Sequence, residues 1–171
     1  MTERFLTTWD GTQLFYRAWL PEKPAKKALL LFHRGHEHSG RFEELVRRLG
    51  LTDFAVFAWD ARGHGKSPGE RGWAENFACL VRDADCFAKH ISAAHGIAIE
   101  NMAVLAHSVG AVIAATWIHD YAPPRAGDGA RQSGVSSKAL RAFRDPLSPS
   151  APQIPEDRFR NELRARRHAH P

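Results

Sequence analysis

The sequence predicts an α/β protein whose first 122 residues open with a hairpin and continue as a parallel sheet flanked by helices. Three observations predict it. Short, wholly apolar runs alternate with longer stretches of helical periodicity, the pattern of strand–helix–strand units with right-handed crossovers. An Asp-Gly pair near the N-terminus separates two stretches rich in aromatic and β-branched residues. The composition is also divided. Residues 1–122 carry 14 basic and 14 acidic side chains and all five tryptophans, whereas residues 123–171 carry 10 basic against 5 acidic and seven of the ten prolines. The first part has the composition of a core; the second does not.

Thr7 to Tyr16, with Asp10-Gly11 at its centre, reads as the hairpin. Ala28 to Phe32 is a short apolar run, as expected of a parallel strand covered on both faces. Phe42, Leu45, Val46 and Leu49 then recur at helical spacing, and Gly50 stops that helix. Phe54 to Trp59 is a second buried strand. A longer helix is predicted from about Glu75 to His95, its face set by Phe77, Leu80, Val81, Ala84, Phe87 and Ile91. Met102 to Ala106 is the third strand of the series, and Val109 to Tyr121 a further apolar helix.

The length of 171 residues suits one domain, and the net charge of +5 comes entirely from residues 123–171. No apolar run approaches the roughly 18–20 residues of a membrane span. Met1 to Phe5 lacks the pattern of a secretory signal. Cys79 and Cys86, seven apart on one predicted helix, would lie roughly 10 Å apart, too far for a disulfide. Both are expected to be buried, reduced thiols in a cytoplasmic protein.

In a parallel α/β sheet, chemistry collects in the loops after the carboxyl ends of the strands. The third strand passes straight into a helix through Ala106-His107-Ser108-Val109-Gly110. This is a G-x-S-x-G elbow with alanine in the first glycine's place, a turn that exposes a serine at a strained apex. The same serine also reads as a helix N-cap, and the motif alone does not separate the two. After the first strand comes His33-Arg34-Gly35-His36-Glu37-His38-Ser39-Gly40-Arg41. Its three histidines do not form H-E-x-x-H, because Gly40 stands where the second histidine would be, and no metal or other cofactor is expected. After the second strand, Asp60 to Gly69 is glycine-rich without being a phosphate-binding loop. It reads as a structural turn in which Asp60 and Arg62 pair locally.

Together, Phe32 to Phe42, the D-x-R-G-H-G-x-S run Asp60 to Ser67, and His107-Ser108-Val109-Gly110 resemble the α/β-hydrolase superfamily, in its monoacylglycerol lipase and lysophospholipase branch grouped with serine aminopeptidases. The resemblance covers about residues 1–122. It implies the N-terminal half of an α/β-hydrolase fold, Ser108 as nucleophile, and the backbone N–H groups of Gly35 and Val109 as the oxyanion hole. It implies a small-molecule or lipid ester substrate. The family usually has His-Gly where this chain has His33-Arg34, which would set a bulky cation beside that hole. In this fold the acid and histidine of the triad follow the serine in sequence. Asp128, Asp145, Asp157, His168 and His170 do follow it, but none ends a buried-strand pattern, so triad acid and base are unassigned. His64 and His107 precede the serine and are set aside. The third strand would also be left as a flat apolar edge.

The expected division is thus a partial hydrolase domain over 1–122 and a basic, Pro/Arg-rich tail over 123–171. The tail reads either as a disordered segment or as a frameshifted rendering of the rest of the domain. Reading codons for Asp128 to Gly134 one base later can yield Met-Val-Leu-Ala-Ser-Pro, a strand-like run. Translating the downstream gene in all frames separates the two. The function expected is serine ester hydrolysis, weak or absent in this form; the alternative is a non-catalytic binding module. Arg158, Arg160, Arg164, Arg166 and Arg167 form a short cluster with one aromatic, and no nucleic-acid partner is expected from it.

Overall fold

The computed structural model describes residues 1–121. They form a five-stranded mixed sheet with helices on both faces. Strands β1 (Thr2–Thr7) and β2 (Gln13–Trp19) make the hairpin, paired from Thr2 opposite Ala18 to Thr7 opposite Gln13. Its loop is wider than the Asp-Gly pair alone. Thr8 N–H reaches Thr12 O, and Asp10 Oδ1 accepts from the Thr8 hydroxyl and Thr12 N–H. Then follow β3 (Lys27–Phe32), α1 (Glu43–Leu49), β4 (Phe54–Trp59), α2 (Phe77–His95), β5 (Met102–Ala106) and α3 (Val109–Asp120).

The spatial order is β1-β2-β4-β3-β5. β4, β3 and β5 run parallel, and β2 joins β4 antiparallel. The parallel strands are apolar throughout because both faces are covered. On one face Leu30, Phe32, Phe57 and Trp59 pack with Phe87 and Ile91 of α2 and Ile113 and Trp117 of α3. On the other, Leu29, Leu31, Val56 and Ala58 meet Phe42 and Val46 beside α1. α1 stops short of β5, so Ala103 is exposed and Leu105 is 42% exposed. Among the described residues β5 is therefore the sheet edge expected from the sequence.

Two helix starts differ from expectation. The first turn before α1 is a 3-10 turn, Ser39–Phe42, and α1 proper begins at Glu43. α2 begins at Phe77 rather than near Glu75, because Asn76 caps it by accepting from Cys79 N–H at 2.9 Å. Cys79 is buried and Cys86 only half-buried, and both are free thiols. No helix among the described residues is long and apolar enough to cross a membrane. The expectations placed on residues 123–171, including the acid and base candidates and the arginine cluster, lie outside the described residues.

α2 carries two histidines against the core. His90 Nε2 lies 3.1 Å from the Tyr16 hydroxyl, and the His95 ring packs 4.7 Å from that of Phe57. His95 Nε2 is buried without a partner. Burial, reinforced by the positive charge of Arg4, pushes both below the ordinary histidine range, and burial does the same to His33. Below about pH 6.5 the unfolded chain therefore binds protons that the folded chain resists. The contribution of these groups is full above that pH and is lost as pH falls through their lower folded values. Thermal unfolding is expected at a lower temperature at pH 5.5 than at pH 7.5. His95→Leu should flatten that dependence; an unchanged slope would count against the buried-histidine account.

Candidate active site

The loops after β3, β4 and β5 meet at one end of the parallel strands, and buried polar groups hold them together. Asp60, 1% exposed at the end of β4, is the main one. Its Oδ1 accepts from Ser39 N–H in the first loop at 2.5 Å, and its Oδ2 from Lys66 N–H in the second at 2.8 Å. Its carbonyl accepts from the Ser67 hydroxyl, which in turn accepts from Phe15 N–H. Asp60 therefore does not pair with Arg62, contrary to the sequence reading. Backbone N–H groups satisfy both its oxygens, while the Arg62 side chain extends to Asp83 of α2 and Asp10 of the hairpin loop. Asp60→Asn would face one of those two N–H donors with an NH2 group. It is expected to destabilise the protein by about 2–3 kcal/mol in urea unfolding, with faster amide exchange at Ser39 and Lys66. A loss within 0.5 kcal/mol, as for a typical surface change, would contradict this.

His33 is the second tie. Its Nε2 accepts from Ala61 N–H at 3.0 Å, so the proton sits on Nδ1, which donates to Arg34 O at 2.7 Å. With both nitrogens engaged, His33 fixes the chain leading into Gly35. Arg34, the cation expected beside this place, has an ion-pair partner. Its guanidinium pairs with Glu37 at 3.0 Å and is half exposed. In the second loop Gly63 has φ of 72°, and a Cβ there would run into the Glu70 carbonyl oxygen, so the expected glycine turn is present.

Ser108 stands between β5 and α3 with φ 55° and ψ −124°. A non-glycine residue pays for such a backbone, and the strain marks functional sites. Its side chain makes no capping hydrogen bond, so the N-cap alternative is not realised, and the residue is exposed. The elbow is tight because Gly110 has no side chain. A Cβ on it would fall on the carbonyl oxygen of His33 and 2.8 Å from that of Phe32. This brings the start of α3 against the end of β3. A Cβ built on Gly35 would lie 3.8 Å from Val109 Cγ1, so the two expected oxyanion donors are neighbours. Neither N–H donates to a backbone carbonyl among the described residues. Among the described residues the two N–H groups are thus left without a backbone acceptor, near an exposed serine.

A cavity of about 230 Å³ opens beside them, lined by Gly35, Val109, His36 and His64 over a floor that includes Trp59 and Leu80. His36 holds φ of 62° at its rim. Asp60, His33 and His64 are the residues that sequence reasoning passed over. Each ends or follows a strand, the one signal that marks them. Among the described residues no group of three or more His, Cys, Asp or Glu side chains is placed to hold a metal ion.

The profile of the "Serine aminopeptidase, S33" family matches residues 23–130. The Escherichia coli (strain K12) protein YnbC is 55% identical over 122 residues, 71% of this chain and 21% of its own length. The monoglyceride lipase of Homo sapiens is 47% identical over 74 residues, 43% of this chain and 24% of its own. The chain thus spans between a fifth and a quarter of these curated relatives. The crystal structure of esterase RhEst1 from Rhodococcus sp. ECU1013 superposes with a TM-score of 0.57 at 26% identity, covering 71% of this chain and 42% of that one. With the profile and the superposition in agreement, the chain belongs to the serine aminopeptidase S33 family and carries part of the α/β-hydrolase fold.

Proposed function

We propose that the chain supplies the nucleophile and oxyanion hole of a serine hydrolase acting on carboxylic esters of the monoacylglycerol or lysophospholipid type. Residues 1–122 form the partial hydrolase domain in this reading, and 123–171 a separate basic segment. The observation that carries it is the Ser108 elbow, with its positive φ and uncapped, exposed side chain. Its similarity to monoglyceride and monoacylglycerol lipases supports the ester class. Ser108 Oγ attacks the acyl carbonyl carbon and loses its proton to a base. The carbonyl oxygen becomes an oxyanion facing Gly35 and Val109 N–H, and its collapse expels the alcohol. Water then releases the acid.

Base and acid are unassigned, and a serine without a base is a weak nucleophile. Turnover is accordingly expected to lie orders of magnitude below that of a complete triad. The two unbridged cysteines support a cytoplasmic location. A tagged fluorophosphonate probe, followed by gel and mass spectrometry, tests the proposal. Labelling is expected in the wild type and absent in Ser108→Ala. A wild type that stays unlabelled favours the second reading, a non-catalytic binding module. That reading is supported by the histidine hydrogen bonds among the described residues, none of which reaches the Ser108 hydroxyl.

A further inference from the structure

The two edges of the sheet differ in kind. On β1, Glu3 is held by Arg17 at 3.0 Å and by Lys66 at 2.6 Å, and Arg4 follows it. Charges of this sort discourage an edge strand from pairing with another chain. β5, Met102 to Ala106, contains no charged residue, and its Ala103 and Leu105 are exposed where α1 stops short. Among the described residues β5 has β3 as its one neighbour. A bare apolar edge beside a guarded one marks a pairing surface.

The backbone of β5 fixes how it can pair. His107 N–H donates to Phe32 O of β3 at 3.1 Å. Backbone groups alternate in direction along a strand, so those of Ala103 and Leu105 also face β3. The N–H groups of Val104 and Ala106 and the carbonyls of Met102 and Val104 therefore face outward. Met102 N–H is taken by Ile99 O.

These outward groups match a copy of themselves. A two-fold axis at Val104 sets residue 104 against itself, 102 against 106 and 103 against 105. Val104 N–H then donates to the partner's Val104 O and Ala106 N–H to the partner's Met102 O, each bond being made twice. Leu105 lies against the partner's Ala103, so the two exposed side chains of the edge cover each other, large against small. Just beyond the strand, exposed Glu100 and Asn101 come beside the partner's His107, a carboxylate meeting a ring N–H. Residues 1–122 carry 14 basic and 14 acidic side chains, so no net charge on this part opposes the approach.

We propose that β5 pairs with β5 of a second copy of this chain, antiparallel about Val104, joining two five-stranded sheets into one. The assembly closes at two copies, because the edges left over are the charged β1 strands. It depends on no reaction at Ser108.

The test is sedimentation equilibrium of the full chain and of two edge variants. The wild type is expected to dimerise. The double substitution Ala103→Lys, Leu105→Lys sets lysine against lysine on both sides of the axis and should weaken the dimer about ten-fold or more. Ala103→Glu, Leu105→Lys adds as many charges but sets glutamate against lysine, and should restore association to within about three-fold of the wild type. A wild type that stays monomeric at about 100 μM, where even a weak specific contact is populated, would overturn the proposal. So would equal losses in the two variants, or a two-lysine variant that still dimerises, since association would then come from another surface, residues 123–171 included. If the two-lysine variant does not fold, amide exchange in the wild type decides. Val104 and Ala106 should exchange more slowly as protein concentration rises, while His107, bonded to Phe32 in either state, should not change. Exchange at Val104 and Ala106 that ignores concentration would overturn the proposal.

Discussion

Arg62→Met is expected to lower the unfolding free energy by about 3–5 kcal/mol, the cost of stranding a buried charge. Arg62 grips Asp83 with two parallel bonds, Nε to Oδ2 at 3.0 Å and Nη2 to Oδ1 at 2.9 Å. Its Nη1 reaches Asp10 at 2.8 Å and Thr12 at 3.0 Å. Asp83 is wholly buried on α2, and burial pushes its carboxyl up, so its charged form depends on this guanidinium. Arg62→Met leaves that carboxylate in the core without its cationic partner. The double variant Arg62→Met, Asp83→Leu removes both ends and should recover most of the loss. A single variant within 1 kcal/mol of the wild type would show the pair to be idle. The bond from Arg62 also holds the Asp10 carboxyl well below its usual range. That contribution is complete above the ordinary carboxylate pKa and is lost only in strong acid. The arginine of the D-x-R-G-H-G-x-S run thus ties the second loop to α2 and the hairpin.

Gly110→Val is expected to cost about 3 kcal/mol or more and to abolish fluorophosphonate labelling at Ser108. The atoms a side chain would meet are the carbonyl oxygens of His33 and Phe32. Backbone at the end of β3, bonded on both sides to β4 and β5, cannot swing away as a flexible side chain can. Relief requires α3 to part from β3, which also separates Val109 from Gly35. Gly110→Ala should fall between the two. Wild-type stability and labelling in Gly110→Val would contradict the close-packed elbow.

Much of the scaffold was legible because it rests on local pattern. β4 and β5 have the bounds their apolar runs predict, since strands covered on both faces announce themselves by composition. α2 started two residues late because the cap at Asn76 decides that boundary, whereas periodicity alone runs on to Glu75. The strained turn at Ser108 was legible through the small residues around it. Asp60 and His33 were not: their partners Ser39 and Ala61 lie 21 and 28 residues away, and such pairing exists only once the strands are side by side. The same holds for Arg62, whose partner Asp83 sits on a helix face with no mark in the sequence. His64 was set aside by its order in the chain, which says nothing about the cavity it lines.

The proposed nucleophile is one serine beside two backbone donors, and a crystal structure of the chain after reaction with a fluorophosphonate is the decisive measurement. A bond between Ser108 Oγ and phosphorus is expected, with the phosphoryl oxygen about 2.7–3.1 Å from the N–H groups of both Gly35 and Val109. An unmodified Ser108, or an adduct whose oxygen faces solvent away from both donors, would contradict it.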